Sequence, residues 1–218
     1  MVARIQCRWL MVTSLIIVLV AWSVPSSAQS VVALNESFAG DYNYTVIGGS
    51  LRTNPNSGAG ANACALGAND SEVLAGIPAG STIVAAYLYW GGSGATVDNQ
   101  VTLNGNTIIA DRTFTDIFVL GNTYRFFGGF ADVTGLVNPV NGQNFTFSGL
   151  TVTNGAPFCA VQAVLASWSL LVVYENVATE PLRVINVFDG FQFFGVDQSR
   201  SPNRISWCRL FRKGVERS

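Results

Sequence analysis

The chain has 218 residues, of which 49% are hydrophobic and only 11% charged, enough for one large domain or two small ones. It contains no histidine, which excludes Ser-His-Asp and Cys-His nucleophilic sites and the usual His-bearing zinc centres. The net charge of −1 hides a segregation: residues 29–199 carry four basic side chains (Arg52, Arg112, Arg125, Arg183) against twelve acidic ones, a net −8, while six of the twelve basic residues fall in the last nineteen positions. An acidic body without lysine repels phosphate backbones and argues against nucleic-acid binding.

Residues 1–28 have the layout of a secretory signal peptide, with Arg4 and Arg8 before an apolar run at 10–22 and small residues at Ser26-Ser27-Ala28. The run is shorter than the roughly 20 residues that span a bilayer. Cleavage after Ala28 would start the mature chain at Gln29; an uncleaved anchor is the alternative. On this reading the membrane is met only during export, and the protein is secreted or held at the cell surface.

Strands are expected at 31–34 and 42–47, where Tyr42, Tyr44 and Val46 alternate with polar residues. A Gly/Asn/Ala-rich connection over 48–70 follows; loops of this length inside a compact domain are usually functional. The turn Ile77-Pro78-Ala79-Gly80 launches a strand at 82–90 that is apolar on both faces. Asn104-Gly105 between two short runs predicts a tight hairpin, and Gly121-Asn122 a second one between 117–120 and 123–127. Residues 131–137 read as one short helical turn capped by Asp132, and 144–153 as one or two short strands.

The segment 163–194 holds two apolar runs, 167–174 and 182–188, that read as adjacent buried strands. The first places Trp168, Leu170, Val172 and Tyr174 on one face and Leu171 and Val173 on the other, the pattern of a strand at the centre of a sheet stacked on another layer. Many short strands with turn signals between them predict an all-β fold, an antiparallel β-sandwich or jelly-roll-like domain over 29–195. Residues 196–218 lose the strand pattern and become basic, a disordered or poorly packed tail.

With Cys7 removed in the leader, Cys64 and Cys159 are the remaining pair in the body, and Cys208 is odd. In an oxidising compartment the pair is expected to form a disulfide, two buried thiols being the alternative. Closing a loop of about 100 residues stabilises by up to about 4.7 kcal/mol in the chain-entropy model.

Candidate chemistry is sparse. Gly91-Gly92-Ser93-Gly94 lacks the Lys and the following helix of a phosphate loop. Glycoside hydrolysis can run on carboxylates alone, which singles out Glu175, Glu180 and Asp189 near the ends of the two apolar runs. Asp98, Asp111, Asp116 and Asp132 could supply oxygen ligands to a structural calcium ion, without the spacing of an EF-hand; no other cofactor is implied. Tyr87, Tyr89, Trp90, Phe126, Phe127 and Phe130 could form a sugar-stacking platform, but aromatics in doubly apolar strands belong to a core. Tyr42, Tyr44 and Tyr124 stand in more polar contexts and are the candidate exposed ligand surface. Asn35, Asn43, Asn69 and Asn144 fit the Asn-x-Ser/Thr acceptor pattern.

The phrases SLRTNPNS (50–57), IPAGSTIVAAYLYWGGSG (77–94), VTLNG (101–105), ADRTF (110–114) and ASWSLLVVYENVATEPLRVINVFDGFQ (166–192) together resemble the N-terminal β-rich domain of large secreted bacterial surface proteins of unknown function, which often precedes immunoglobulin-like repeats. The resemblance covers most of 41–194. It implies an extracellular sandwich in a surface or adhesive role and brings no catalytic residues. After Phe194 the pattern of those proteins would continue with further strands; here it meets the basic tail, as a frameshift near codons 194–196 would produce. A domain truncated in this way would expose the edges of its central strands.

Three functions are carried forward in order. The first is a non-enzymatic structural or adhesive sandwich presenting 48–70 and other loops to a surface glycan or extracellular protein. The second is a carbohydrate-binding module using Tyr42, Tyr44 or Tyr124. The third is a glycoside-active enzyme using Glu175 or Asp189.

Overall fold

A computed structural model describes residues 32–192; the leader at 1–28 and the basic tail at 196–218 lie outside them. The fold is all-β. In chain order the strands are β1 (Ala33–Gly40), β2 (Tyr42–Ser50), β3 (Asn69–Val73), β4 (Thr82–Ser93), β5 (Gln100–Leu103), β6 (Asn106–Ile109), β7 (Arg112–Leu120), β8 (Asn122–Asp132), β9 (Asn144–Ser148), β10 (Ala166–Glu175) and β11 (Arg183–Asp189). They form a five-stranded sheet β2-β10-β4-β8-β7, a four-stranded sheet β3-β9-β5-β6 and a two-stranded ribbon β1-β11, every pair antiparallel.

The five-stranded sheet is the middle layer, because its central strands are apolar on both faces. One face of β10 (Trp168, Leu170, Val172, Tyr174) and of β4 (Ala86, Leu88, Trp90) packs against Val101, Leu103, Phe145 and Phe147 of the four-stranded sheet. The other face (Leu171, Val173, Ala85, Tyr87, Tyr89) packs under Phe38 and Val187 of the ribbon. Burying each Leu or Val contributes roughly 1.5–3 kcal/mol, and β4 and β10 gain this on both sides.

The two buried indoles each keep a polar partner. The Trp168 indole donates to Asp70 Oδ2 (2.8 Å) and its ring stacks on Phe147 with centroids 5.5 Å apart; the Trp90 indole donates to the Asp98 carbonyl (2.9 Å). Gly129 makes the latter packing possible, since a Cβ there would sit 2.2 Å from the Trp90 ring.

Several local expectations hold. Asn104 and Gly105 both have positive φ (51° and 77°) and close the β5–β6 hairpin, as a type I′ turn requires. Gly121, at φ 67°, turns β7 into β8. After β8 the expected single turn is present as a 3-10 turn over Thr134–Leu136, but its cap position is Val133 and not Asp132, whose Oδ1 instead accepts from the Thr134 amide (2.9 Å) at the end of β8. The connection expected over 48–70 is shorter, because β2 continues to Ser50 and β3 starts at Asn69.

Two expectations are corrected. The apolar runs at 167–174 and 182–188 are both strands, but they are not neighbours. Both edges of β10 are taken, by β2 and β4, so β11 cannot add there. The link between them is turned back by Asn176, whose carbonyl accepts from the amides of Thr179 and Glu180 and whose side chain donates to Ala79 O and Ser81 Oγ. The chain thereby crosses to the outer layer and β11 pairs with β1, leaving Val184 and Phe188 exposed and Val187 buried. For the same reason the central strands expose no edge: β4 and β10 are paired on both sides, and the free edges lie elsewhere.

Candidate recognition surface at one end of the sandwich

The registers fix which loops share an end. Ser50 of β2 lies opposite Ser167, Ala166 opposite Gly92, and Ser93 opposite Phe126. The loop 51–68 after β2, the loop after β4, the segment entering β10 and the β7–β8 turn therefore all gather at one end of the middle sheet.

This end is tied together by polar contacts at its base. Cys64 and Cys159 are joined as a disulfide with Cα atoms 5.5 Å apart, within the usual span, as expected from the cysteine count. The Arg52 guanidinium bonds the carbonyls of Ala63 (3.0 Å) and Val164, crossing from the loop to the β10 approach; its burial lowers its pKa from the ordinary value. Asn56 Nδ2 donates to Gln162 O (3.1 Å). Backbone bonds from Thr53 N to Ala65 O and from Gly67 N to Leu51 O close the loop into a hairpin-like excursion. Ser93 braces the other side, its hydroxyl donating to Thr153 O (2.8 Å) and accepting from Leu165 N (3.2 Å). Beyond this base the tip of the loop, including Asn54, Pro55 and Ser57 through Asn62, is exposed.

An aromatic pillar supports the neighbouring hairpin. Tyr124 and Phe126 of β8 meet Phe158 edge-on at 5.4 and 5.6 Å, next to Cys159, with Phe118 and Leu66 against the same cluster. Tyr124 is thus 1% exposed, which corrects its assignment to a ligand surface. Its polar sequence neighbours Asn122 and Thr123 face solvent at the turn while the ring folds under the disulfide; Phe158, beside Cys159, was the overlooked signal. A shallow cleft of about 270 Å³ lies beside the hairpin, lined among others by Thr115, Asp116, Ile117 and Arg125, just below the roughly 300–1,000 Å³ of small-molecule pockets.

The other candidates are placed apart. Tyr42 and Tyr44 stand at the opposite end of β2. Tyr42 is half-buried against Phe38, with centroids 6.2 Å apart, while Tyr44 is 37% exposed beside Val46. The three tyrosines therefore share no surface. Tyr87, Tyr89, Trp90, Phe126, Phe127 and Phe130 are all core.

The carboxylates are engaged in holding layers together. Asp189 is bound by Arg112 Nη2 at 2.5 Å, and that guanidinium lies 4.1 Å above the Phe130 ring. Burial raises the Asp189 pKa and Arg112 opposes the rise; burial also raises Tyr89, with Asp189 adding to it. Glu36 of β1 accepts from the Tyr87 hydroxyl, fastening the other ribbon strand. Glu180 accepts from Asn43 (2.8 Å) and Arg183 (3.0 Å). Glu180 precedes β11 and Asp189 ends it, so the whole strand, roughly 20 Å long at strand rise, lies between them, against about 5–9.5 Å for glycosidase pairs. Glu175 ends β10 opposite Thr82 and Tyr42.

Asp98 accepts from the amides of Gln100 (3.2 Å) and Thr151 (2.6 Å), Asp111 from that of Asp132 (2.8 Å), and Asp116 from that of Ile117 (2.7 Å). Among the described residues no three potential ligands form a metal-binding group, and no helix is long and apolar enough to cross a membrane. Comparison with known proteins matched no family model, no curated protein and no solved structure.

Proposed function

We propose that the chain is a secreted or cell-surface β-sandwich with a structural or adhesive role and no catalytic site. The observation that carries this reading is the contrast within one end of the molecule. The loop tip is exposed, while its base is fixed by the disulfide, Arg52 and the backbone bonds to Leu51 and Ala65. A tip held in one conformation loses little entropy on binding, as a contact surface for a glycan or an extracellular protein requires. The disulfide also suits the oxidising compartment to which the leader would deliver the chain.

Replacing the tip residues 55–61 by a Gly/Ser segment of equal length tests the reading. Cells displaying the variant should adhere less to polysaccharide- and protein-coated surfaces than cells displaying the parent, with the melting temperature of the purified protein retained. Equal adhesion, or glycoside turnover by the purified protein, would sink it. A carbohydrate-binding module is the second reading, now resting on Tyr44, whose half-open ring beside Val46 could stack on a sugar. It predicts that Tyr44→Ala abolishes saturable glycan binding.

A further inference from the structure

The chain contains three Asn-Gly pairs, at 104–105, 141–142 and 154–155. Asparagine is a thermolabile residue, most of all before glycine, which has no Cβ to keep its own nitrogen away from the asparagine Cγ. In a folded chain the reaction depends on whether the side chain can swing over that nitrogen. Two of the pairs are held. Asn104 Nδ2 donates to Asn144 O (3.0 Å) and its Oδ1 accepts from the Thr146 amide (2.7 Å). Asn141 Oδ1 accepts from the Ile77 amide (2.9 Å) and its Nδ2 donates to Ile77 O (2.7 Å). There the glycine nitrogen is engaged as well, since the Gly142 amide donates to Leu74 O (2.8 Å).

Asn154 differs in each respect. Asn154 and Gly155 are both exposed, and a Cβ at Gly155 would meet no atom within 4 Å, so a ring has room to form there. The Asn154 side chain is retained by one long bond, from Nδ2 to Cys64 O at 3.4 Å, beyond the usual span of about 2.7–3.2 Å. Among the described residues the Gly155 amide donates no hydrogen bond. We propose that Asn154-Gly155 is a self-modification site, where the chain converts Asn154 to aspartate and isoaspartate beside the disulfide. The Gly155 nitrogen loses its proton to water and attacks Asn154 Cγ. The N–Cγ bond forms, the Cγ–Nδ2 bond breaks and ammonia leaves with a proton, closing a cyclic imide. Water then opens the ring, giving aspartate by attack at Cγ and isoaspartate by attack at the backbone carbonyl carbon. Water is consumed and ammonia released, with no oxidation or reduction. Either product replaces the Nδ2 donor by a carboxylate that only accepts, so the bond to Cys64 O is lost and this end gains a negative charge. The proposal is independent of whether that end binds a partner.

Incubation of the purified protein in mildly alkaline buffer, followed by peptide mapping and isoaspartyl methyltransferase labelling, tests it. The same chain unfolded in denaturant supplies the intrinsic rate of each pair. On folding, the rate at 154 should stay close to its unfolded value. The rates at 104 and 141 should fall roughly tenfold or more, because each side chain must first break two hydrogen bonds. Gly155→Ala, whose Cβ has open space, should suppress the reaction at 154 and leave the melting temperature unchanged. Comparable slowing at all three pairs, greater slowing at 154 than at the other two, or an unaltered rate in Gly155→Ala would overturn the proposal. The folded and unfolded parent decide the matter even where the variant folds poorly.

Discussion

At Asp189 two effects oppose each other. Burial favours the neutral acid, whereas Arg112, 2.5 Å away, favours the carboxylate, and the balance leaves the pKa raised above its ordinary 3.8. The folded chain therefore holds this proton to higher pH than the unfolded chain does. Between pH 3.8 and the raised native value the folded state binds more protons, so the contribution of Asp189 to stability falls as pH rises and is constant above that window. Arg112 on β7 and Tyr89 on β4 are the titratable groups facing it. In Asp189→Asn this slope disappears, so the melting temperature of the variant relative to the parent should climb from acid toward neutral pH; a constant difference would contradict the account. Arg112→Ala strands the buried carboxylate and should cost about 1–3 kcal/mol by denaturant titration, below the roughly 3–5 of a fully enclosed pair because Arg112 is partly solvated. Tyr124→Ala should cost about 3–5 kcal/mol if the ring is the pillar described here, by analogy with Phe→Ala in a core. An exposed ligand-binding tyrosine would move stability by less than about 0.5 kcal/mol.

β10 and β11 show what a strand pattern can and cannot reveal. In β10 both faces are apolar, and the sequence alone predicts which side chains oppose which: Trp168, Leu170, Val172 and Tyr174 do point into one core, and Leu171 and Val173 into the other. β11 reads almost as apolar, yet its neighbour is β1, about 150 residues earlier in the chain; periodicity reports burial per strand and carries no information on pairing. The polar Asn186, bonded to Ser37 across the ribbon, marks an outward face that the high apolar content obscured. The two strands should respond differently to truncation. Leu170→Ala should cost about 2–5 kcal/mol, and Val184→Ala, on the open face of the ribbon, less than about 0.5 kcal/mol, both read from denaturant midpoints. Comparable losses at the two sites would mean that β11 is buried on both faces after all. The Asn104-Gly105 hairpin was legible for the opposite reason: its chemistry is local, and a positive φ at both positions needs no tertiary contact to be recognised.

Across the whole molecule, three layers meet a single crowded end where loop, disulfide and aromatic pillar support one another. The cysteine pairing was readable because only two cysteines remained in the body. The union of 51–68 with the β7–β8 hairpin was not, since it depends on registers that place Ser50, Ser93 and Ala166 at the same end. Cys64→Ser with Cys159→Ser should cost about 2–5 kcal/mol and render the loop tip sensitive to protease while β4 and β10 stay resistant. Cleavage no faster than in the parent would mean that Arg52 and the backbone bonds hold the loop unaided. The most direct test of the recognition surface is a hydrogen-exchange footprint of the purified protein on an immobilised extracellular polymer that retains it. Slowed exchange concentrated at 53–65, the loop after β4 and the β7–β8 turn is the result predicted. Slowed exchange around Tyr44 and Val46, with that end unchanged, would contradict the account and move the binding surface to the far end of β2.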